Sequence, residues 1–128
     1  MKIAVMIARI LLGLIFFVFG LNVYLHFIPN QTMPGDAGAL AGLLFVHGWF
    51  TFIGILYVVG GFLLIIGRYV PLGLVLLGPI IVNILLFHAT LAPSGIVPGL
   101  VCAALEIFLI YAYRLAFMGI FQHRHEIG

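Results

Sequence analysis

The chain has 128 residues, of which 66% are hydrophobic and only 6% are charged. Soluble domains carry about a quarter charged residues, so this inventory cannot cover a water-exposed surface. The single cysteine excludes an intramolecular disulfide and a paired-cysteine redox motif. Five basic and three acidic side chains offer no basic patch for nucleic acid. The composition therefore indicates one membrane domain.

The apolar runs predict an all-α integral membrane protein, a bundle of four transmembrane helices. A run of about 17 to 25 apolar residues is long enough to cross a bilayer. We predict spans over about 3–27, 50–66, 70–88 and 97–114. The first run is too long for a secretory signal and lacks a small-residue cleavage site, so we interpret it as a retained helix.

A short segment before the second span has a different character. Residues 37–67 are apolar throughout, which is too long for one comfortable span, and Gly48-Trp49 divides them. The small-residue-rich part, about 38–47, predicts a re-entrant or interfacial helix. Trp49 then lies where an interfacial aromatic is expected. A polar turn over 29–36 connects this helix to the first span.

The basic residues all fall on one side of the predicted topology. They lie at the start of span one, between spans two and three, and after span four: Lys2, Arg9, Arg68, Arg114 and Arg124. By the positive-inside rule, both termini are cytoplasmic. We therefore predict a multi-pass protein of the bacterial cytoplasmic (inner) membrane, and an even number of spans agrees with that placement.

Ionisable side chains within membrane spans are costly and suggest function. Arg9 lies about 9 Å inside the membrane at a rise of 1.5 Å per residue. It either extends to the surface or forms a structural ion pair with Glu106, which lies near the midplane. Gly13 and Gly20 share a helical face with Arg9, and small residues favour close helix packing. That face is expected to pack against another span.

Glu106 belongs to a stripe on span four. Gly99, Cys102 and Tyr113 fall on the same side of the helix as Glu106 at 3.6 residues per turn. The stripe is either the packing face of the helix or the lining of a cavity.

Two further sets of polar residues lie in the spans. Asn22 and His26 are four residues apart and share a face of span one, and Asn83 follows Pro79 by one turn on span three. His88 lies about 140° around the helix from Asn83, so the two cannot face one partner. We therefore predict an inner amide pair, Asn22 with Asn83, and histidines at the outer interface.

Three histidines, His26, His47 and His88, are predicted at one level near the outer interface. Imidazole binds zinc, copper and iron, so a metal or haem site is one alternative, although no tight local motif such as H-x-x-x-H is present. A second alternative is hydrogen bonding to headgroups, water or one another. A third is proton or substrate handling beside a quinone.

Several segments together resemble the DoxX family of small four-span bacterial membrane proteins. The resemblance covers nearly the whole chain and is most specific in span three and at Asn22/His26. The segments that carry it are Phe19-Gly20-Leu21-Asn22, His26-Phe27-Ile28-Pro29, Met33-Pro34-Gly35, Gly60-Gly61, Gly67-Arg68-Tyr69-Val70-Pro71-Leu72 and Pro79-Ile80-Ile81-Val82-Asn83-Ile84-Leu85-Leu86-Phe87-His88.

The resemblance implies a four-helix bundle linked to membrane redox chemistry, since some members are subunits of thiosulfate:quinone oxidoreductase. Relatives often carry a glutamate where this chain has Tyr57, so this member either lacks the activity of that acid or uses Glu106 or Tyr57 instead.

Three functions remain open at this stage. The first is a redox-associated subunit that binds a quinone or another apolar small molecule. Its binding residues would be Asn22, His26, Tyr57, Asn83, His88 and Glu106. The second is a non-catalytic membrane scaffold or assembly factor, and the third is a haem or metal-binding protein. The chain shows no nucleophile–base pair or phosphate loop, so catalysis would require a partner redox subunit; a homo-oligomer is the other expected assembly.

Overall fold

A computed structural model describes residues 1–26 and 33–128, and every regular element in these two ranges is helical. The helices are α1 (Lys2–Leu25), α2 (Gly35–Val46), α3 (Trp49–Ile66), α4 (Val70–Thr90), α5 (Ile96–Ala112) and the short α6 (Arg114–Phe117). Single 3-10 turns cover Pro93–Gly95 and Met118–Phe121. Residues 27–32, which include the predicted end of span one and half of the predicted polar turn, lie outside the described ranges.

Four of these helices are long and apolar enough to cross a membrane, as the sequence predicts. They are α1, α3, α4, and α5 together with the 3-10 turn before it. The short helix predicted before the second span is α2, which begins at Gly35 rather than near residue 38. Pro71 lies in the first turn of α4, where its missing N–H costs no helical hydrogen bond.

The four long helices form a closed ring. Helix α1 contacts α3, α3 contacts α4, α4 contacts α5, and α5 returns to α1, while α2 packs outside the ring against α3. Neighbouring helices run in opposite directions. One end of the bundle, here called the basic end, carries Lys2, Arg68 and Arg114. The opposite end carries His26, His47 and His88 and is called the histidine end.

Helices α1 and α3 have the closest approach in the ring, and glycine makes it possible. A Cβ atom placed on Gly61 would lie 2.6 Å from the carbonyl oxygen of Gly13, and one placed on Gly13 would lie 2.8 Å from that of Gly61. Further along, a Cβ on Gly20 would lie 2.8 Å from the Cβ of Tyr57. The face predicted from Gly13, Gly20 and Arg9 therefore does pack against another span, and that span is α3.

The core is a narrow strip along the inside of the ring. Its members are aliphatic or small, with one aromatic ring: Ala8, Leu12, Phe16, Leu64, Val70, Leu74, Leu77, Ile81, Cys102 and Leu109. Leu12 is 0% exposed, whereas its neighbour Leu11 is 45% exposed. The exposed position faces lipid tails, which are as apolar as leucine, so leucine suits both the buried and the exposed position.

Candidate functional site

Arg9 binds the end of a neighbouring helix rather than a carboxylate. Its Nη1 donates to the carbonyl oxygen of Leu64 at 2.9 Å and to that of Ile65 at 3.3 Å. These carbonyls belong to the last turn of α3, where no following helical N–H is available. The guanidinium charge also complements the negative end of that helix dipole.

The predicted ion pair between Arg9 and Glu106 is therefore not formed. Glu106 is only 5% exposed, and neither of its carboxyl oxygens has a hydrogen-bond partner among the described residues. The expectation failed because the carbonyls at the end of α3 lie nearer the guanidinium and satisfy it.

Glu106 lies where α5 faces α4. Its Oε2 would lie 3.3 Å from a Cβ placed on Gly78, so the absence of a side chain there makes room for the carboxyl group. Gly99 and Cys102 are buried on the same side of α5, and Tyr113 is partly buried against the core. Gly99, Cys102 and Glu106 therefore belong to a packing face, whereas Tyr113, at the end of α5, lines a cavity at the basic end.

Tyr57 lies in the same interior as Glu106. Its ring meets that of Phe16 edge to face, with centroids 4.9 Å apart. Its phenol lies near the thiol of Cys102, which is one helical turn from Glu106. Tyr57, Cys102 and Glu106 thus form the polar part of the bundle interior, and we call them the interior cluster.

A separate cavity of about 520 Å³ opens at the histidine end between α1 and α2. Among residues 1–26 and 33–128, the polar side chains that line it are Asn22 and His26 of α1, and the other side chains of its wall are mostly apolar or small. They include Gly38, Gly42 and Phe45 of α2 and Phe50 of α3. His26 ends α1 in the left-handed region, with a φ of 53°. The helix ends at this residue, whose side chain is exposed and lines the cavity.

Asn83 is not inside the bundle, which corrects the predicted inner amide pair. Its side chain is exposed, and its Nδ2 donates to the carbonyl oxygen of Pro79 on the same helix at 2.9 Å. Pro79 is exposed as well. This hydrogen bond joins the amide to the backbone of its own helix, so the amide does not require a partner from another span. Asn22 and Asn83 belong to different regions of the protein.

His88 also lies apart from the cavity. Its Nδ1 is 3.2 Å from the carbonyl oxygen of Ala92, and its ring packs over Gly95 and edge-on to Phe87. His88 therefore closes the turn between α4 and α5. It does not join Asn22 and His26, so the six predicted binding residues do not converge on one site.

The three histidines do not form the metal site that the sequence left open. His26 ends α1, His47 ends α2, and His88 binds the turn after α4. Within residues 1–26 and 33–128, no three His, Cys, Asp or Glu side chains are grouped so as to hold a metal ion.

Sequence reasoning missed the contribution of α2 to the cavity. The segment was identified by its small residues, Gly38 and Gly42 among them, but was interpreted as a re-entrant or interfacial helix and not as the wall of a cavity. The same small residues leave space between α2 and α1, and this was the signal that could have revealed a cavity wall. Comparison with protein-family models, curated proteins and solved structures gives no match to this chain.

Proposed function

We propose that this chain is a DoxX-like subunit of the bacterial cytoplasmic membrane, with both termini cytoplasmic, that binds a quinone or a similar apolar carbonyl compound. The observation that carries the proposal is the α1–α2 cavity with Asn22 and His26 in its wall. The redox partner in this proposal is a separate subunit, and this chain provides the binding site within the membrane.

The size and lining of the cavity suit such a ligand. Small-molecule sites span about 300–1,000 Å³ and combine mostly apolar walls with a few polar groups that orient the ligand. The cavity of about 520 Å³ lies within that range. Phe45 and Phe50 provide flat apolar surface, and the glycines of α2 allow a planar ring to approach the backbone.

The two polar side chains offer hydrogen bonds of the required kind. An asparagine amide donates two N–H groups, and a neutral imidazole donates one while accepting at its other nitrogen. A quinone carbonyl only accepts hydrogen bonds, whereas its reduced hydroxyl also donates. His26 can form a hydrogen bond with either the quinone or its reduced form, because its tautomer can change. Asn22 can donate from its amide nitrogen or accept at its amide oxygen.

The test uses the single tryptophan of the chain as a reporter. Trp49 begins α3 next to Phe50, which lines the cavity. Titration of the purified protein with a short-chain quinone should quench Trp49 fluorescence with saturation. Asn22→Leu and His26→Leu should each weaken the apparent affinity by about tenfold, the loss of one good hydrogen bond.

His88→Leu and Asn83→Leu are the matched controls, because both side chains bind their own segment away from the cavity. They should bind the quinone like the unaltered protein. Quenching that does not saturate and is identical in the unaltered protein and all four variants would contradict the proposal, because it would indicate random collisions between quinone and protein in the detergent phase.

A non-catalytic scaffold is the second candidate, and one observation favours it. Arg9, Asn83 and His88 all bind backbone carbonyls of this chain rather than lining the cavity. A scaffold needs no ligand, so filling the cavity would leave it active. Gly42→Phe should abolish quinone binding under the first proposal. If the unaltered chain and the Gly42→Phe variant restore a deletion strain equally well, that result would support the scaffold instead.

A further inference from the structure

A second cavity, of about 570 Å³, lies at the basic end and plays no part in the proposed function. It opens between the start of α1, the end of α3 and the end of α5. Three of the chain's five basic residues, Lys2, Arg9 and Arg114, line it. None of the chain's three acidic residues, Asp36, Glu106 and Glu126, is among its lining residues in the described ranges. We infer that this basic cavity binds a phosphate group.

Arg9 is the deepest of the three cations and is held in one position. Its Nη1 is occupied by the carbonyls of Leu64 and Ile65, and it borders the cavity beside Gly67. Its Nη2 and Nε donate to no protein atom in residues 1–26 and 33–128. A guanidinium fork with free donors on a fixed arm matches the oxygens of a phosphate in geometry as well as charge.

Arg114 is positioned in the same way from the other wall. Its Nη1 donates to the carbonyl oxygen of Tyr111 at 2.9 Å, and its guanidinium lies 4.4 Å from the centre of the Tyr111 ring. Both arginines therefore use one nitrogen to hold a helix end, and both residues line the cavity. Lys2 adds a third, mobile charge from the first turn of α1, and the Tyr113 hydroxyl adds a neutral donor to the lining.

Two kinds of ligand present the same phosphate group, a phospholipid headgroup and a soluble phosphate. A phospholipid headgroup can enter from the side, since basic pockets between membrane helices suit anionic lipids. A soluble phosphate can enter from the water-facing end. The depth of Arg9 and the apolar side chains of Val5 and Met6 in the lining suit a lipid, whose glycerol and upper acyl chain would contact them.

The experiment places the full-length protein in nanodiscs and measures its thermal stability in two arms. In the lipid arm, phosphatidylglycerol replaces part of the phosphatidylcholine. In the soluble arm, inorganic phosphate is titrated into pure phosphatidylcholine discs. Lys2→Gln and Arg114→Gln each remove one positive charge from the cavity lining, and the stabilisation of each variant is measured relative to the same variant in pure phosphatidylcholine discs without phosphate. Arg68→Gln is the matched control, because it removes the same charge from the same end but lies outside the cavity.

The expected result is saturable stabilisation in one arm, weakened about fivefold in apparent affinity by each of Lys2→Gln and Arg114→Gln and unchanged by Arg68→Gln. The arm that responds identifies the source of the phosphate. No saturable stabilisation in either arm overturns the inference. An equal loss in Arg68→Gln also overturns it, because the effect would then be general surface electrostatics.

Discussion

Gly13 of α1 and Gly61 of α3 meet backbone to backbone, and each fills the space where the other would carry a Cβ atom. The carbonyl oxygen of Gly13 would lie 2.6 Å from a Cβ on Gly61, and the backbone nitrogen of Phe17 only 2.7 Å from it. Neither atom can move without displacing a helix. In a membrane, such close packing replaces the hydrophobic effect as the force between helices.

Replacing Gly61 by alanine should therefore destabilise the bundle by about 1–3 kcal/mol, the usual cost of overpacking a dense contact. Unfolding of the purified protein in mixed micelles would measure this change. Gly42→Ala is the control, because a Cβ on Gly42 meets no atom of the described residues within 4 Å and alanine favours a helix. Equal stability of Gly61→Ala and the unaltered protein would show that α1 and α3 can separate freely.

Arg9 should contribute to stability through α3 rather than through Glu106. Arg9→Met removes both hydrogen bonds to the last turn of α3 and should cost about 2 kcal/mol, as expected for bonds from a charged donor. Arg9→Lys should retain part of that stability. A double-mutant cycle of Arg9→Met with Glu106→Gln measures the coupling between the two positions. We expect no coupling beyond about 0.5 kcal/mol, whereas a paired guanidinium and carboxylate would give more.

Replacing Glu106 by an apolar residue should stabilise the protein. Its buried carboxyl oxygens have no partner among the described residues, so Glu106→Met removes an unsatisfied polar group and should raise stability by about 1–2 kcal/mol. Glu106→Gln keeps a polar end and should change little. Thermal unfolding of both variants beside Glu126→Gln, which alters the exposed tail, would test this. A marked loss of stability in Glu106→Met would mean that the carboxyl group has a partner in the membrane.

Asn83 should tolerate an apolar side chain. Its amide is exposed on the outside of α4 and binds only the carbonyl of Pro79, so Asn83→Leu should change the free energy of unfolding by less than about 1 kcal/mol. Reversible unfolding in micelles gives that value, and Asn83→Asp provides the opposite case because a charge facing lipid is costly. A large loss in Asn83→Leu would place the amide against a second protein chain.

The sequence was a good guide to the spans and a poor guide to the inward faces. Long apolar runs set the four helices, and the alignment of Gly13 and Gly20 identified one packing face correctly. Leu11 and Leu12 show why more could not be inferred, since one faces outward and the other is fully buried. A helix that is apolar on all sides has no polar face to orient it. Asn83 was therefore placed inside the bundle when it lies outside.

The partner of Arg9 could not be read from the sequence for a different reason. Residue types and spacings identify carboxylates as candidate partners, but they give no weight to backbone carbonyls, which every helix end presents. The sequence identified Asn22 and His26, the polar residues of the cavity, but not the wall formed by α2. That wall depends on how α2 packs against α3, which residue types alone do not determine.

The lengths of α1 and α3 have a consequence for the bilayer around this protein. At 1.5 Å per residue, the 24 residues of α1 extend about 36 Å, whereas the 18 residues of α3 extend about 27 Å. Their tight contact prevents each from adjusting separately to a hydrocarbon layer of about 30 Å. The shorter side therefore draws the lipid surface inward where α2 lies beside α3, and the longer side tilts. The bilayer beside this bundle should therefore be thinner along α3 than along α1, and this uneven thickness follows from one pair of glycines.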